Sequence, residues 1–164
     1  MMGLSKPHIV VFVLRVLALG GTLAATIVMV TSHDSTQLLG FTFQANFTHS
    51  PTFKYFVGVN TIASGYSLIV LFFPSKNMAS SLLLVSDMIL MLLMDSSISA
   101  CLAVAEVGKK GNINAGWLPI CGQVSKFCDH VAGSLIAAFA ALVLYFLLLL
   151  YSFHTVLNLY TLKL

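Results

Sequence analysis

Charged side chains are scarce in this chain of 164 residues, of which only 8% are Asp, Glu, Lys or Arg. A soluble domain carries about 25%, so a water-soluble globular protein is excluded. Basic clusters are also missing, because the net charge of +3 is spread thinly along the chain. Lys109–Lys110 is the one adjacent basic pair. A protein that binds nucleic acid is therefore not expected.

Residues that commonly bind metals or carry out catalysis are few and scattered. The histidines show no metal-ligand spacing, and they stand at His8, His33, His49, His130 and His154. Cys121 and Cys128 do not form a Cys-x-x-Cys redox motif, and neither Asp87 nor Asp95 has the Gly-Asp setting of an intramembrane aspartyl protease. The sequence predicts no catalytic site, no metal, no cofactor and no enzyme.

Long apolar runs are abundant. Hydrophobic residues make up 59% of the chain, and the mean hydropathy is +0.98. Four runs, at residues 9–31, 55–73, 81–105 and 131–153, are each long enough to cross the ~30 Å hydrocarbon core as a helix that rises ~1.5 Å per residue. The predicted fold is an all-α membrane protein, in which residues 1–164 form one four-helix bundle within a lipid bilayer.

Two features of the connecting segments favour cytosolic termini and two extracellular loops. Asn46-Phe47-Thr48 is a glycosylation sequon in the first loop, residues 32–54, and predicts a glycan on Asn46. Cys121 and Cys128 lie close together in the third connection. They favour a disulfide on an oxidising side over the alternative of two free cysteines. The basic residues do not decide the orientation, since they are similar in number on both sides.

Two charges inside the apolar runs lie at matching depth. A charge in lipid costs at least ~2.5–3.5 kcal/mol. With the termini in the cytosol, Arg15 and Asp87 each lie about 9 Å into their helices at ~1.5 Å per residue. We therefore predict an Arg15–Asp87 ion pair. The alternatives are an arginine that snorkels to the cytosolic surface, a protonated aspartate, and a functional proton or ion site.

Asp95 lies ~12 Å further along the third run, which is too far from Arg15 for a direct pair. We predict a neutral or hydrogen-bonded carboxyl group near the middle or outer half of the third helix. Its candidate neighbours are polar residues of the second helix, namely Asn60, Ser64, Tyr66 and Ser67.

Small residues at four-residue spacing predict seams where helix backbones approach closely. They are Gly20/Ala24, Gly21/Ala25, Ser96/Ala100, Ser99/Ala103 and Gly133/Ala137/Ala141. Contacts within the bundle and contacts between copies both remain open for these seams. Residues 142–150 of the fourth run are predicted to face lipid, and the aromatic residues Tyr55, Trp117 and Tyr151 suit the membrane interfaces.

Several short motifs, in this order and spacing, resemble the plant Casparian strip membrane domain protein-like family, which is related to the four-helix MARVEL proteins. In the first two helices they are Leu14-Arg15-Val16-Leu17-Ala18, Ala24-Ala25-Thr26-Ile27-Val28-Met29, Phe53-Lys54-Tyr55-Phe56-Val57 and Asn60-Thr61-Ile62-Ala63-Ser64-Gly65-Tyr66-Ser67. In the second half they are Asp87, Lys109-Lys110-Gly111-Asn112, Gly116-Trp117, Cys121 and Phe127-Cys128.

The resemblance implies a plasma-membrane protein with both termini in the cytosol that forms homo- or hetero-oligomers. Arg15 and Asp87 fall on the family's characteristic intramembrane arginine and aspartate. Members that build Casparian strips form membrane platforms that recruit wall-modifying enzymes. Residues 36–51 lack the Glu-Ser-Leu-Pro-type stretch of those members, so a broader family role is expected. Asp95 falls where the resemblance implies a small or apolar residue.

The leading hypothesis is therefore a non-enzymatic plasma-membrane scaffold that associates with itself and related chains and contacts wall-modifying proteins. The alternative is a small channel or transporter subunit that uses the polar residues of the third helix. Inverted repeats and broken helices, which would favour transport, are missing from the sequence. A claudin-type junction protein is disfavoured, because its paired cysteines belong in the first loop.

Overall fold

Four long helices make up most of the protein. A computed structural model describes residues 6–38, 41–72 and 79–161. The helices are α1 (Lys6–Val30), α2 (Pro51–Phe72), α3 (Ala79–Lys110) and α4 (Ser125–Thr161). Each is long and apolar enough to cross a membrane, which confirms the predicted all-α membrane fold. Most of the predicted turn at residues 74–80 lies outside the described residues.

Three of the helices extend clearly beyond the apolar runs that predicted them. α2 begins at Pro51 rather than at residue 55, because proline is well tolerated in the first helical turn, where its missing N–H would be unpaired anyway. α3 continues to Lys110 through the polar residues that follow its apolar run. α4 has 37 residues and is about 55 Å long at ~1.5 Å per residue. It is therefore longer than the ~30 Å hydrocarbon core.

A β-hairpin occupies much of the first connection, where the sequence predicted only a loop. Strand β1 (His33–Leu38) pairs antiparallel with strand β2 (Phe41–Asn46). His33 lies opposite Asn46, and Leu38 lies opposite Phe41. Each strand has six residues. β2 does alternate between apolar and polar residues, which is typical of a strand, whereas β1 is polar except for Leu38 and shows no alternation. Their pairing supplies the stabilising hydrogen bonds.

The helices form a square in which α1 and α3 occupy opposite corners. α1 packs against α2 and α4, and α3 packs against the same two helices. We call the end that carries the β-hairpin the hairpin end, and the end where α1 begins and α4 finishes the tail end. Because α1 and α3 lie on a diagonal, the buried faces of these two helices point toward each other across the centre of the bundle.

The core has two apolar parts. The part near the hairpin end includes an edge-to-face pair of rings, Phe53 and Phe127, whose centroids are 5.8 Å apart. The part near the tail end is built around Met94, Tyr145 and Leu148, which are all fully buried. Most of the large exposed side chains are apolar, as expected for a surface in contact with lipid.

Candidate functional site: an ion pair at the centre of the bundle

Arg15 of α1 and Asp87 of α3 meet across the diagonal of the bundle. The two terminal nitrogens of Arg15 donate to the two carboxylate oxygens of Asp87, at 3.0 Å and 2.7 Å. Arg15 is 4% exposed and Asp87 is fully buried. This two-pronged geometry is the strongest form of the arginine–carboxylate interaction. The structure thus brings together two residues that lie 72 positions apart in the chain.

The guanidinium group of Arg15 also contacts α2. Its central carbon lies 5.4 Å from the centre of the Tyr66 ring, which is within the range of a cation–π interaction. The Tyr66 hydroxyl donates to the backbone oxygen of Leu83 at 3.4 Å. The arginine therefore points into the bundle, and the snorkelling alternative does not describe its position. Both carboxylate oxygens of Asp87 accept hydrogen bonds from Arg15, and the pair is buried. The two charges therefore interact with each other inside the bundle.

A second polar contact, which the sequence analysis missed, joins α2 to α4. The Tyr145 hydroxyl donates to the backbone oxygen of Ala63 at 2.8 Å and lies 2.5 Å from the Ser67 hydroxyl. Tyr145 falls within residues 142–150, which we predicted to face lipid, and that prediction is wrong for Tyr145 and Leu148, which are fully buried. A tyrosine in mid-span was the available signal, since its hydroxyl needs a partner in lipid.

Other polar side chains bond to helix backbones. Ser134 of α4 donates to the backbone oxygen of Ala25 on α1 at 2.7 Å, and Cys101 of α3 donates to that of Thr52 on α2 at 3.6 Å. The Asn60 amide donates within its own helix to Phe56, at 2.9 Å. Its side-chain oxygen is buried with no hydrogen-bond partner among the described residues.

Only part of the predicted small-residue seams lies inside the bundle. Gly21 lies where α1 crosses α4, and a Cβ atom built on it would be 2.9 Å from the Cβ of Ala141. Gly20 and Gly133 have open space around their Cα atoms. The Ser99/Ala103 pair on α3 is likewise exposed. The seam residues therefore divide between one tight contact inside the bundle and several positions on its surface.

Asp95 lies near the middle of α3 but faces a different side of the bundle from the one that the sequence predicted. It is exposed on α3, and it lines a groove with residues of α3 and α4, including Phe139 and Phe146. The predicted contact with polar residues of α2 is wrong. Of those residues, Ser67 lies against Tyr145, and Ser64 donates to the backbone oxygen of Thr61. No described residue forms a hydrogen bond with the Asp95 side chain, so of the neutral or hydrogen-bonded carboxyl group that we predicted, only the neutral form stays a prediction.

The predicted loop residues lie together at the hairpin end. Cys121 and Cys128 form a disulfide with Cα atoms 5.7 Å apart, which joins the third connection to the first turns of α4. Asn46 ends β2, and its side-chain oxygen accepts from the backbone N–H of Thr48 at 3.3 Å. Near the disulfide, Ile113 is 94% exposed and Leu118 is 81% exposed. The third connection thus presents apolar side chains at its surface.

Within residues 6–38, 41–72 and 79–161, no three His, Cys, Asp or Glu side chains come close enough to hold a metal ion. The polar groups that the described core does contain are engaged mainly with each other or with helix backbones. The arrangement can orient helices, and it offers no described cluster of side chains to a substrate.

Four helices that are long and apolar enough to span a membrane, with Arg15 and Asp87 paired at the centre of the bundle, define a multi-pass membrane protein. The chain belongs to the Casparian strip membrane protein family, since the family model described as "Casparian strip membrane protein domain" matches residues 5–144. This confirms the resemblance found in the sequence.

Similar curated proteins support the same family. The chain is 55% identical over 151 residues to CASP-like protein 1C1 of Vitis vinifera, covering 92% of this chain and 95% of that protein. It is 54% identical to CASP-like protein 1C1 of Arabidopsis thaliana, covering 89% of each. Neither these names nor the family description is that of an enzyme. No solved structure matches the chain.

Proposed function

We propose that this protein is a non-enzymatic scaffold of the plasma membrane. In this proposal, copies of the chain associate with each other and with related chains and organise a membrane subdomain. Both termini lie in the cytosol, so the hairpin end faces the outside, where wall-modifying proteins are candidate partners. The whole chain, residues 1–164, acts as one membrane domain.

The Arg15–Asp87 pair is the observation that carries the proposal. It lies across the diagonal of the bundle, with Tyr66 of α2 beside it. A buried pair of this kind is weak evidence for high stability, but it restricts how helices can face each other. A bundle held in one arrangement presents the same surfaces in every copy, and repeated assembly requires such surfaces.

The hairpin end offers the second line of support. Its disulfide restrains the third connection, and disulfides persist on the oxidising side of a membrane. The exposed side chains of Ile113, Trp117 and Leu118 form an apolar surface of the kind that often marks an interaction site. These features favour an external hairpin end that contacts other molecules.

The channel alternative depended on the polar residues of α3 facing one wet cavity. Asp87 and Ser97 are fully buried, whereas Asp95, Ser96 and Ser99 are exposed. Because the residues divide between two faces of the helix, they do not line a common cavity. This division favours the scaffold over the channel.

Mobility and particle size in the native membrane test the scaffold. We expect the fluorescently tagged protein to recover slowly after photobleaching and to migrate in native gels well above the 17.7 kDa chain. Two differently tagged copies should also co-purify. A tagged single-span protein is the control for mobility. Fast recovery together with a monomer-sized particle would contradict the proposal, and ion flux through reconstituted protein would favour the channel.

Glycosylation tests the orientation. With the hairpin end outside, Asn46 carries a glycan, and removal of that glycan by a glycosidase increases the gel mobility of the protein. Asn46→Gln and Thr48→Ala should each abolish this change, whereas Thr48→Ser keeps the sequon and should preserve it. A reporter fused to the C-terminus that is accessible from outside intact cells would contradict the orientation.

A further inference from the structure

Asp95 is an ionisable residue in mid-span with no partner among the residues that the structure describes. It is the seventeenth of the 32 residues of α3, so it lies near the middle of the helix. Its side chain is exposed, and no described residue bonds to it. An ionisable side chain at this depth normally faces a protein partner or a watery cavity. The described part of the bundle supplies neither, which favours a partner outside the chain.

The exposed face around Asp95 has the spacing of a helix–helix contact. Exposed residues of this face recur along α3 at alternating intervals of four and three positions. They are Met88, Leu92, Asp95, Ser99, Leu102 and Glu106. This heptad spacing is the seam along which a second helix packs at a small crossing angle. A polar residue within such a seam sets the register and the choice of partner.

A groove beside Asp95 can receive a side chain from that second helix. It has a volume of about 220 Å³ and lies between α3 and α4. Phe139 and Phe146, which line the groove, are 58% and 46% exposed. The groove therefore combines one carboxylate with two accessible aromatic rings.

Charge complementarity indicates which side chain fits. A carboxylate beside aromatic rings matches a guanidinium group, which can bind the carboxylate with two hydrogen bonds while its cation contacts a ring face. A second copy of this chain does not offer one, because Arg15 is already bound to Asp87 and buried. Two copies that met at Asp95 would also bring like charges together.

We propose that the groove around Asp95 binds a transmembrane helix of a different protein, which inserts an arginine into the groove at mid-membrane depth. This inference deepens the proposed scaffold function and rests on it, since it specifies how one unlike partner attaches. The two proposals fail separately. If the wild-type protein does not cluster in cells, the scaffold proposal is contradicted. If it does not bind an arginine-containing transmembrane peptide in vesicles, the groove site is contradicted.

The test uses synthetic helices and the full chain in phosphatidylcholine vesicles. The probe is a leucine-rich transmembrane peptide with one central arginine and a dansyl group at one end. The chain has one tryptophan, Trp117, which lies 60% exposed near the hairpin end and serves as the energy-transfer donor. We expect the arginine peptide to bind about tenfold more tightly than the all-leucine peptide.

Variants separate charge from shape. Asp95→Asn should reduce binding of the arginine peptide to the level of the leucine peptide, whereas Asp95→Glu should retain it. Val143→Phe fills the groove from its wall and should also reduce binding. Val13→Phe is the matched control at a half-exposed position of α1, the helix diagonally opposite α3, and should not.

Three results would overturn the groove site. The first is equal binding of the arginine and leucine peptides to the wild-type protein, a comparison that requires no variant. The second is unchanged binding by Asp95→Asn. The third is a peptide copy of α3 that binds as tightly as the arginine peptide, because that result would assign the groove to a second copy of this chain.

Discussion

Asp87 and Asp95 lie on the same helix and have opposite surroundings. Asp87 is fully buried and binds both terminal nitrogens of Arg15. Asp95 faces outward beside a groove. Eight residues of helix correspond to two full turns plus about 80°, and this rotation moves a side chain from the centre of the bundle to its edge. The comparison shows that the direction a charge faces, as well as its depth, determines whether the bundle can pair it.

The difference between the two carboxylates predicts different consequences when each is disturbed. Changes near Asp87 should affect the fold, because they leave a buried charge or a buried hydroxyl without its partner. Changes at Asp95 should leave the fold intact and affect only what binds outside it.

Arg15→Leu should have the largest effect. It leaves Asp87 buried without its partner, and breaking a buried pair in this way costs about 3–5 kcal/mol. We expect a lower melting temperature in detergent and reduced delivery to the membrane in cells. The matched control is the double variant Arg15→Leu with Asp87→Leu, which removes both charges and should recover much of the loss. A single variant with wild-type melting and delivery would contradict the structural role of the pair.

Gly21→Ala should have the next largest effect. The new Cβ would lie 2.9 Å from the Cβ of Ala141, so α1 and α4 must move apart, at about 1–3 kcal/mol. The measurement is the free energy of unfolding in detergent titrations. Gly20→Ala is the matched control, because Gly20 has open space around it. Equal stability of the two variants would show that the α1–α4 contact is looser than described.

Tyr145→Phe removes the hydroxyl that bonds to Ala63 and lies against Ser67. Hydrogen bonds between membrane helices contribute about 1 kcal/mol, so we expect a small but measurable loss of unfolding free energy. Tyr55→Phe, at a position that is 40% exposed, is the control and should be neutral. A neutral result for both variants would mean that the buried hydroxyl contributes nothing to stability.

Asp95→Leu should have the smallest effect on stability, within about 0.5 kcal/mol as for surface substitutions, or should be stabilising because a charge is removed from lipid. Melting of the purified protein measures this directly. A loss as large as that of Arg15→Leu would mean that Asp95 has a partner within the chain, and the contrast between the two aspartates would then fail.

Much of the fold could be predicted from the sequence because hydrophobic length is a local property. Each of the four apolar runs, at residues 9–31, 55–73, 81–105 and 131–153, corresponds to a helix. The hairpin could not be predicted in the same way, since its stability depends on pairing between strands such as His33 with Asn46. The extensions of α3 and α4 were also missed. Hydropathy predicts the part of a helix that lies within the membrane, but it does not predict how far the helix continues outside it.

The candidate site was partly predictable for the same reason. Depth follows from position in a helix, so the sequence pointed to Arg15 and Asp87 as a pair, and the structure has them in direct contact. The sequence also offered polar residues of α2 as neighbours of Asp95 and predicted that residue 145 faces lipid. Both expectations are wrong, because Asp95 lines a groove between α3 and α4 and Tyr145 is fully buried. Rotation about each helix axis depends on which neighbours pack against it, and apolar residues surround these helices so evenly that the sequence carries little rotational information.

By itself, the sequence determined that this chain crosses the membrane four times and that Arg15 and Asp87 lie at matching depth, because length, hydropathy and helical rise are set along one segment at a time. Only the tertiary structure decided that α1 and α3 face each other across a diagonal, that Tyr145 bonds to α2, and that Asp95 faces outward. These features depend on contacts between segments far apart in the chain, where close packing selects one rotation for each helix.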